Sequence, residues 1–293
     1  MATPAQWIEG ARPRTLPTAV SPVLVGTGAA VGDGIVAPGL ALLALVVAVA
    51  LVIGVNFAND YSDGIRGTDD DRVGPLRLVG SKAAAATTVR TAALICFSIA
   101  GLAGLTLVSL SRQWWWIAVG AVCVAGAWFY TGGKRPYGYA GLGEAAVFVF
   151  FGPVAVLGTD VTQTGSVGPL AIVASVGVGM LTCAVLVANN LRDIAGDEVV
   201  AKRTLAVLLG ATDTRRLYVA LVTVPFLLSI LGALRSWPLA LGLLAAPLAV
   251  VQARRVLGGA DGRALIRVLG QTGLLLLAWS VATAVGLSLA AVV

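Results

Sequence analysis

The chain has no histidine, only three cysteines and two methionines, and little charge: Asp, Glu, Lys and Arg make up 12% of its 293 residues. Without histidine it lacks the commonest general base and the commonest transition-metal ligand, so its chemistry has to run on carboxylates, amides, Lys, Arg and Tyr. Cys96, Cys123 and Cys183 show no metal-ligand or disulfide spacing and fall inside apolar runs, where they read as small packing residues. The shortage of charge excludes an ordinary soluble domain, which carries about twice this share.

Hydrophobic residues fill 58% of the chain and form long uncharged runs, for example 38–59 and 170–191. About 20 apolar residues span a bilayer's hydrocarbon core. By that rule the chain divides into nine candidate spans, at 15–31, 38–60, 84–110, 113–131, 141–159, 168–192, 214–234, 237–255 and 264–291. The expected fold is an all-α polytopic membrane protein of about nine transmembrane helices. A single membrane domain over 1–293 is expected, because no intervening stretch is long enough for a soluble domain. The opening MATPAQWIEGARPRTLP lacks a basic start and a small-residue cleavage site, and reads as a short interfacial segment rather than a signal peptide.

Charge sets the orientation. With the N-terminus cytosolic, 18 of the 20 Lys and Arg residues fall on the cytosolic side, all but Arg112 and Arg235. That is the bias the positive-inside rule describes, and it accounts for the net charge of +6 without a nucleic-acid partner. Twelve of the 14 Asp and Glu residues lie on the same side, the exceptions being Asp33 and Asp160. Acids contribute little to orientation, so their concentration there points to a polar active surface.

Two clusters stand out. The second span ends in Asn56-Phe57-Ala58-Asn59-Asp60-Tyr61-Ser62-Asp63, and the sixth in Asn189-Asn190-Leu191-Arg192-Asp193-Ile194-Ala195-Gly196-Asp197. Asn56 and Asp60 are i,i+4 neighbours on a helix, with Asp63 beside them; Asn189, Asp193 and Asp197 stack in the same way. Asn56 to Asn189 and Asp60 to Asp193 are both 133 positions apart, a weak internal repeat. Carboxylates crowded at a helix C-terminus repel one another and the macrodipole, unless a cation sits between them. Mg²⁺ suits such a place: it takes a few carboxylates plus waters and phosphate oxygens, and Asn can add neutral oxygens. The run Asp69-Asp70-Asp71 taken alone equally suits a solvated acidic loop. Basic residues suited to phosphate lie close by, among them Arg66, Arg72, Arg77, Lys134, Lys202 and Arg203.

With these residues in place, the chain resembles the UbiA superfamily of intramembrane aromatic prenyltransferases. Its strings ARPRTLPTAVSPVLVG, NFANDYSDGIRGTDDDRVGPLRLV, FYTGGKRPYGYAGLGEAAVFVFFGPVAVLGT and NNLRDIAGDEVVAKRTLAVLLG resemble the branch that prenylates 1,4-dihydroxy-2-naphthoate in menaquinone synthesis. The resemblance covers most of the first 210 residues. It implies helices arranged around a central cavity open sideways to lipid, and Mg²⁺-dependent transfer of a polyprenyl group from polyprenyl diphosphate to the ring, with loss of the acceptor's carboxylate. It implies a first metal-diphosphate motif at Asn56, Asp60 and Asp63 and a second at Asp193 and Asp197. Lys134 and Lys202 would contact phosphate, and Arg14 would lie near the acceptor. Asn59, Arg72, Asn189, Arg203 and Tyr139 complete the expected substrate-binding set. One residue departs from the family pattern: Ala201 precedes Lys202 where glycine is expected.

An allylic cation needs an apolar, π-rich, water-poor wall, for which Tyr130, Tyr137, Tyr139, Phe148 and Phe151 are candidates, Tyr130 foremost. Asp63 or Glu144 could take a proton from the acceptor. Gly101, Gly104, Gly126 and Gly143 suit either close helix packing or thin contacts around a lateral opening. Other readings remain: a relative that uses another aromatic acceptor such as 4-hydroxybenzoate, or a secondary transporter with Asp60 and Asp193 as ion sites. CDP-alcohol phosphotransferases share Asp60-x-x-Asp63-Gly64 but not the residues that should follow.

Overall fold

The computed structural model describes residues 2–68 and 76–290. They form helices throughout, and among the described residues there is no strand. In chain order the helices are α1 Pro4–Gly10, α2 Pro17–Gly32, α3 Pro38–Arg66, α4 Ala86–Ser111 and α5 Trp116–Phe129. There follow α6 Gly143–Thr164, α7 Pro169–Val199, α8 Leu205–Ala233, α9 Trp237–Leu257 and α10 Gly262–Ala290. Seven of these, α3, α4 and α6 to α10, are long and apolar enough to cross a membrane. Helix α2 meets the same criterion only when taken together with the N-terminal segment Pro4–Thr15, which is bent from it by 47°. The remaining expected span is α5, an apolar helix of 14 residues. At 1.5 Å per residue it covers about 21 Å, less than the hydrocarbon thickness.

Local chemistry sets the ends. Proline stands in the first turn of α1, α2, α3 and α7, where its missing N–H costs nothing. Gly67 and Gly165, in left-handed conformation, close α3 and α6. Helix α3 runs six residues beyond the expected 60 and α7 seven beyond 192, so each acidic cluster stays helical. In α8 the backbone breaks at Gly210, and the unbroken helix beyond it matches the expected 214–234. Helix α6 carries a π turn at Phe150–Val154, where Pro153 offers no N–H to the ladder.

Packing divides the molecule. Helices α7 to α10 form a dense core around Trp279, Tyr218 and Leu181. Lipid is as apolar as leucine, so helix association here rests on fit and on buried hydrogen bonds. Tyr218 and Thr272 share such a bond at 2.7 Å, and Trp279 donates to Ser229 at 3.2 Å. Helix α2 is the hinge of the arrangement, touching α3, α6, α7 and α10. Gly28 makes this possible: a Cβ there would lie 2.6 Å from the backbone of Ala284. Between α2 and the looser α3–α6 side, the fold leaves open space.

Candidate active site

At the Lys/Arg-rich end, α2, α3, α5, α6 and α7 surround a chamber of about 260 Å³. Arg12, Asn56, Asn59, Asp63, Arg77, Tyr130, Thr131, Asn189, Asn190 and Lys202 line its polar part. Leu51, Phe150, Phe151 and Leu186 line the apolar part.

The end of α3 is held by segments distant in the chain. Asn56 donates to the carbonyl of Ala11 at 3.1 Å and to Thr15 Oγ1 at 3.0 Å, which ties down the N-terminal arm. Asn59 Oδ1 accepts from Thr131 at 2.8 Å. Asp63 accepts from the Tyr139 hydroxyl at 2.8 Å and pairs with Arg77 at 3.5 Å. Asp60 faces another way. Its two oxygens accept the backbone N–H groups of Leu78 and Val79, at 2.7 and 3.0 Å, and it is 1% exposed.

At the end of α7 several bonds join close neighbours in the chain. Arg192 forks onto Asp193 at 2.7 and 2.8 Å and donates to Asn189 at 2.9 Å. Lys202 pairs with Asp197 at 3.4 Å, and Thr204 donates to Asp197 at 3.5 Å. The turn between α7 and Lys202 needs Ala201 at φ +55°, the left-handed region where the family pattern has glycine. The turn forms nonetheless, with Lys202 N–H donating to the carbonyl of Asp197 at 2.8 Å.

Tyr139 joins the two ends. Its hydroxyl reaches Asp63, its carbonyl accepts the Arg203 N–H at 3.1 Å, and its ring lies between Lys202 (5.1 Å) and Arg66 (5.6 Å). Arg66 also grips the carbonyls of Thr131 and Gly133, fixing the loop after α5. Burial first, and Asp63 second, push the Tyr139 phenol above its ordinary pKa. Burial and then Glu144 do the same to Tyr130. Both remain protonated, as hydrogen-bond donors, at neutral pH.

A second, apolar chamber of about 1000 Å³ lies beside the first and shares Ala48, Leu51, Cys123, Phe150 and Ala155 with it. Leu94, Leu105, Ile117 and Phe129 line this chamber and are also exposed on the outer surface, so it opens sideways between α4 and α5. Gly101 and Gly104 belong to this wall, with only Val47 near either of them, whereas Gly126 lies under the ring of Phe150 and Gly143 against the Tyr130 hydroxyl.

The donor set fits Mg²⁺. Asn59, Asp63, Asn189, Asp193 and Asp197 offer only hard oxygens, and the three carboxylates each hold a side-chain cation, Arg77, Arg192 or Lys202. Among the described residues no three Asp, Glu, Cys or His side chains group closely enough to enclose a metal. An ion held here would draw its remaining ligands from substrate oxygens and water.

A model of the UbiA prenyltransferase family matches residues 19–281. The chain belongs to that family. It is 58% identical over 284 residues to the 1,4-dihydroxy-2-naphthoate octaprenyltransferase of Mycobacterium tuberculosis, covering 97% of each chain. To the Escherichia coli protein of the same name it is 39% identical, covering 91% of this chain and 89% of the other. Its fold superposes on a UbiA homolog from Archaeoglobus fulgidus bound to GPP and Mg²⁺ with a TM-score of 0.66 at 12% identity, covering 95% and 99% of the two chains. The chain is a prenyltransferase of the membrane, with several membrane-crossing helices.

Within this UbiA-family prenyltransferase, the fold gathers most of the residues expected of the site. Asn56, Asn59, Asp63, Tyr130, Asn189 and Lys202 line the chamber, with Tyr139, Asp193 and Asp197 bonded into its rim. It does not gather all of them. Asp60 lies behind the wall, while Arg14, Lys134 and Arg203 are exposed. Arg72 and the Asp69–Asp71 run lie outside the described residues. Tyr137 and Phe151 reach the chamber, whereas Phe148 packs on Gly179. Polar lining residues that were not expected there include Arg12, Thr131 and Asn190. Arg77, noted only as a nearby base, also proves to be part of the lining. Asn190 donates to Glu144 at 2.9 Å, leaving the second Glu144 oxygen buried without a partner. The doubled asparagine at 189–190 was the available signal for Asn190; Arg12 differs from Arg14 only by the left-handed turn at its own position, φ +55°.

Proposed function

We propose that this prenyltransferase moves a polyprenyl group from its diphosphate onto 1,4-dihydroxy-2-naphthoate, giving the hydroquinone demethylmenaquinol, which oxidation outside this site turns into demethylmenaquinone, with the site on the cytosolic face. One observation carries the reading: two Asn/Asp helix ends meet at a chamber that continues into a large apolar one. A charged head and a long apolar tail need that pairing of surfaces. The relatives' shared name supports the naphthoate acceptor, and the concentration of Lys and Arg at the chamber's end supports the cytosolic orientation.

In this mechanism Asn59, Asp63, Asn189, Asp193 and Asp197 are the residues that would hold Mg²⁺, and Arg12, Arg77 and Lys202 bind diphosphate oxygens. When bound, Mg²⁺ neutralises charge on the departing diphosphate. The diphosphate leaves with the electron pair of its C–O bond. The ring takes the prenyl group, and the carboxyl leaves as CO₂. Leu51, Phe150 and Leu186 keep water from the allylic carbon, and the neutral Tyr130 phenol stays a donor facing the acceptor's end.

Purified protein in liposomes, given dihydroxynaphthoate, a prenyl diphosphate and Mg²⁺, should yield a prenylated dihydroxynaphthalene, identifiable by mass as such or as the quinone formed from it by oxygen in air. Excess EDTA should abolish the product and added Mg²⁺ restore it. Prenylation of 4-hydroxybenzoate but not of the naphthoate would overturn the acceptor. Flux across the bilayer without any product would overturn the enzyme reading.

A further inference from the structure

The geometry points to Asp60 as the positioning residue for Arg77, acting through the turn 76–81, rather than as a metal ligand; this rests on the diphosphate site proposed above.

The turn is closed on itself by backbone bonds from Ser81 to Arg77, Lys82 to Val79 and Ala84 to Leu78. It contains no helix, and the chain before it, 69–75, is not described. Arg77 sits 8% exposed in the chamber wall, 3.5 Å from Asp63. Its position depends on contacts made by its neighbours. Leu78 is fully buried against Phe57 and Gly10; a Cβ on Gly10 would lie 2.8 Å from it. Val79 presses on Gly64 so closely that a Cβ there would lie 2.4 Å away. Glu9 accepts the Leu76 N–H at 3.1 Å. At the centre of these contacts, the Asp60 carboxylate takes the N–H groups of Leu78 and Val79, one on each oxygen. Two charge-assisted hydrogen bonds in a buried site fix the backbone on the C-terminal side of Arg77. Asp63, one helical turn further on, meets the guanidinium that this turn delivers. Asp60 and Asp63 are therefore two ends of one device: the first holds the backbone, the second receives the side chain. Each Asp60 oxygen accepts one backbone N–H and the residue lies outside the lining that contains Asp63, which places it to hold the turn rather than to share a metal with Asp63.

The test uses the full-length protein in detergent or nanodiscs. Asp60→Asn replaces one accepting oxygen by an NH₂ group that opposes a backbone N–H. Hydrogen–deuterium exchange of the ligand-free protein should then rise at least roughly tenfold in peptides covering 76–84, and little elsewhere. KM for prenyl diphosphate should rise roughly tenfold, while the Mg²⁺ concentration for half-maximal rate stays at the wild-type value. Arg77→Gln should raise the same KM without faster exchange, and the double variant should be no worse than Arg77→Gln alone. Should Asp60→Asn fail to fold, Glu9→Gln loosens the same turn from an exposed position, and faster exchange with a two- to threefold higher KM is then expected, as an approximate range. A raised Mg²⁺ requirement in Asp60→Asn, of the size seen in Asp63→Asn, would overturn the inference. So would unchanged exchange in either variant. Exchange is read without any acceptor, so a wrong assignment of the naphthoate leaves this result intact and separately readable.

Discussion

As strings, the ends of α3 and α7 are near copies, each with Asn and Asp four residues apart and bases following. In space they are stabilised in different ways. Every side-chain bond described for Asn56, Asn59, Asp60 and Asp63 reaches a residue at least 14 positions away: the N-terminal arm, the 76–81 turn, or the loop at 131–139. Among the described residues, Asn189, Asp193 and Asp197 also bond close by in the chain, to Arg192, Lys202 and Thr204, all within seven positions. Local partners of this kind are present at the end of α7, whereas the side chains at the end of α3 are held from distant segments. A second register lies beside the repeat of 133: Asn59 to Asn189 and Asp63 to Asp193 are both 130 positions apart, and Asn56, Asn59, Asp63 and Asn189 all line the chamber.

That comparison can be broken at several points. The largest effects belong to the acids themselves. Asp63→Asn and Asp193→Asn should each lower kcat by about a hundredfold or more and raise the Mg²⁺ requirement, with thermal melting in detergent little changed. If Asp63→Asn turned over normally while Asp60→Asn did not, the 130 offset would be wrong and 133 right. Tyr139→Phe should act next, because it removes the hydroxyl that crosses from the loop to Asp63 while keeping the ring beside Lys202. A roughly fivefold fall in kcat/KM for prenyl diphosphate is expected. No change would mean that the two halves are not coupled there. The smallest effects concern the turns that end the two helices. Gly67 at φ +73° closes α3 and Ala201 at φ +55° follows α7. Gly67→Ala should lower stability by about 1 kcal/mol and Ala201→Gly raise it by a similar or smaller amount. Opposite shifts of melting temperature check the pair.

Much of the architecture was legible in the sequence because bilayer thickness is a coarse ruler. Runs of apolar residues locate spans without any knowledge of what packs where. Two boundaries were read short for a physical reason: α3 and α7 continue into polar sequence until Gly67 and the Ala201 turn stop them, and hydropathy registers polarity rather than helix. The length of α5 was likewise overestimated, since the residues flanking it are apolar but not helical. In the site, i,i+4 spacing puts the acids at two helix ends but could not say which way they point. Asp60 and Asp63 lie about 60° apart around the helix axis, enough to turn one to the turn 76–81 and the other to the chamber. Arg77 and Arg12 were harder still. Each reaches the chamber because a loop docks by contacts far from it in sequence, and no local pattern encodes that docking.

The sideways opening between α4 and α5 has a thermodynamic consequence. An isoprene unit entering the larger chamber does not leave water; it leaves the bilayer, an equally apolar medium. Partitioning from one to the other releases little free energy per unit, in contrast to about 0.8 kcal/mol for each methylene taken out of water. At the proposed site chain length would therefore add almost nothing to affinity, and discrimination would rest with the diphosphate. A prenyltransferase so arranged would grip the head of its donor and accept the tail that the membrane supplies.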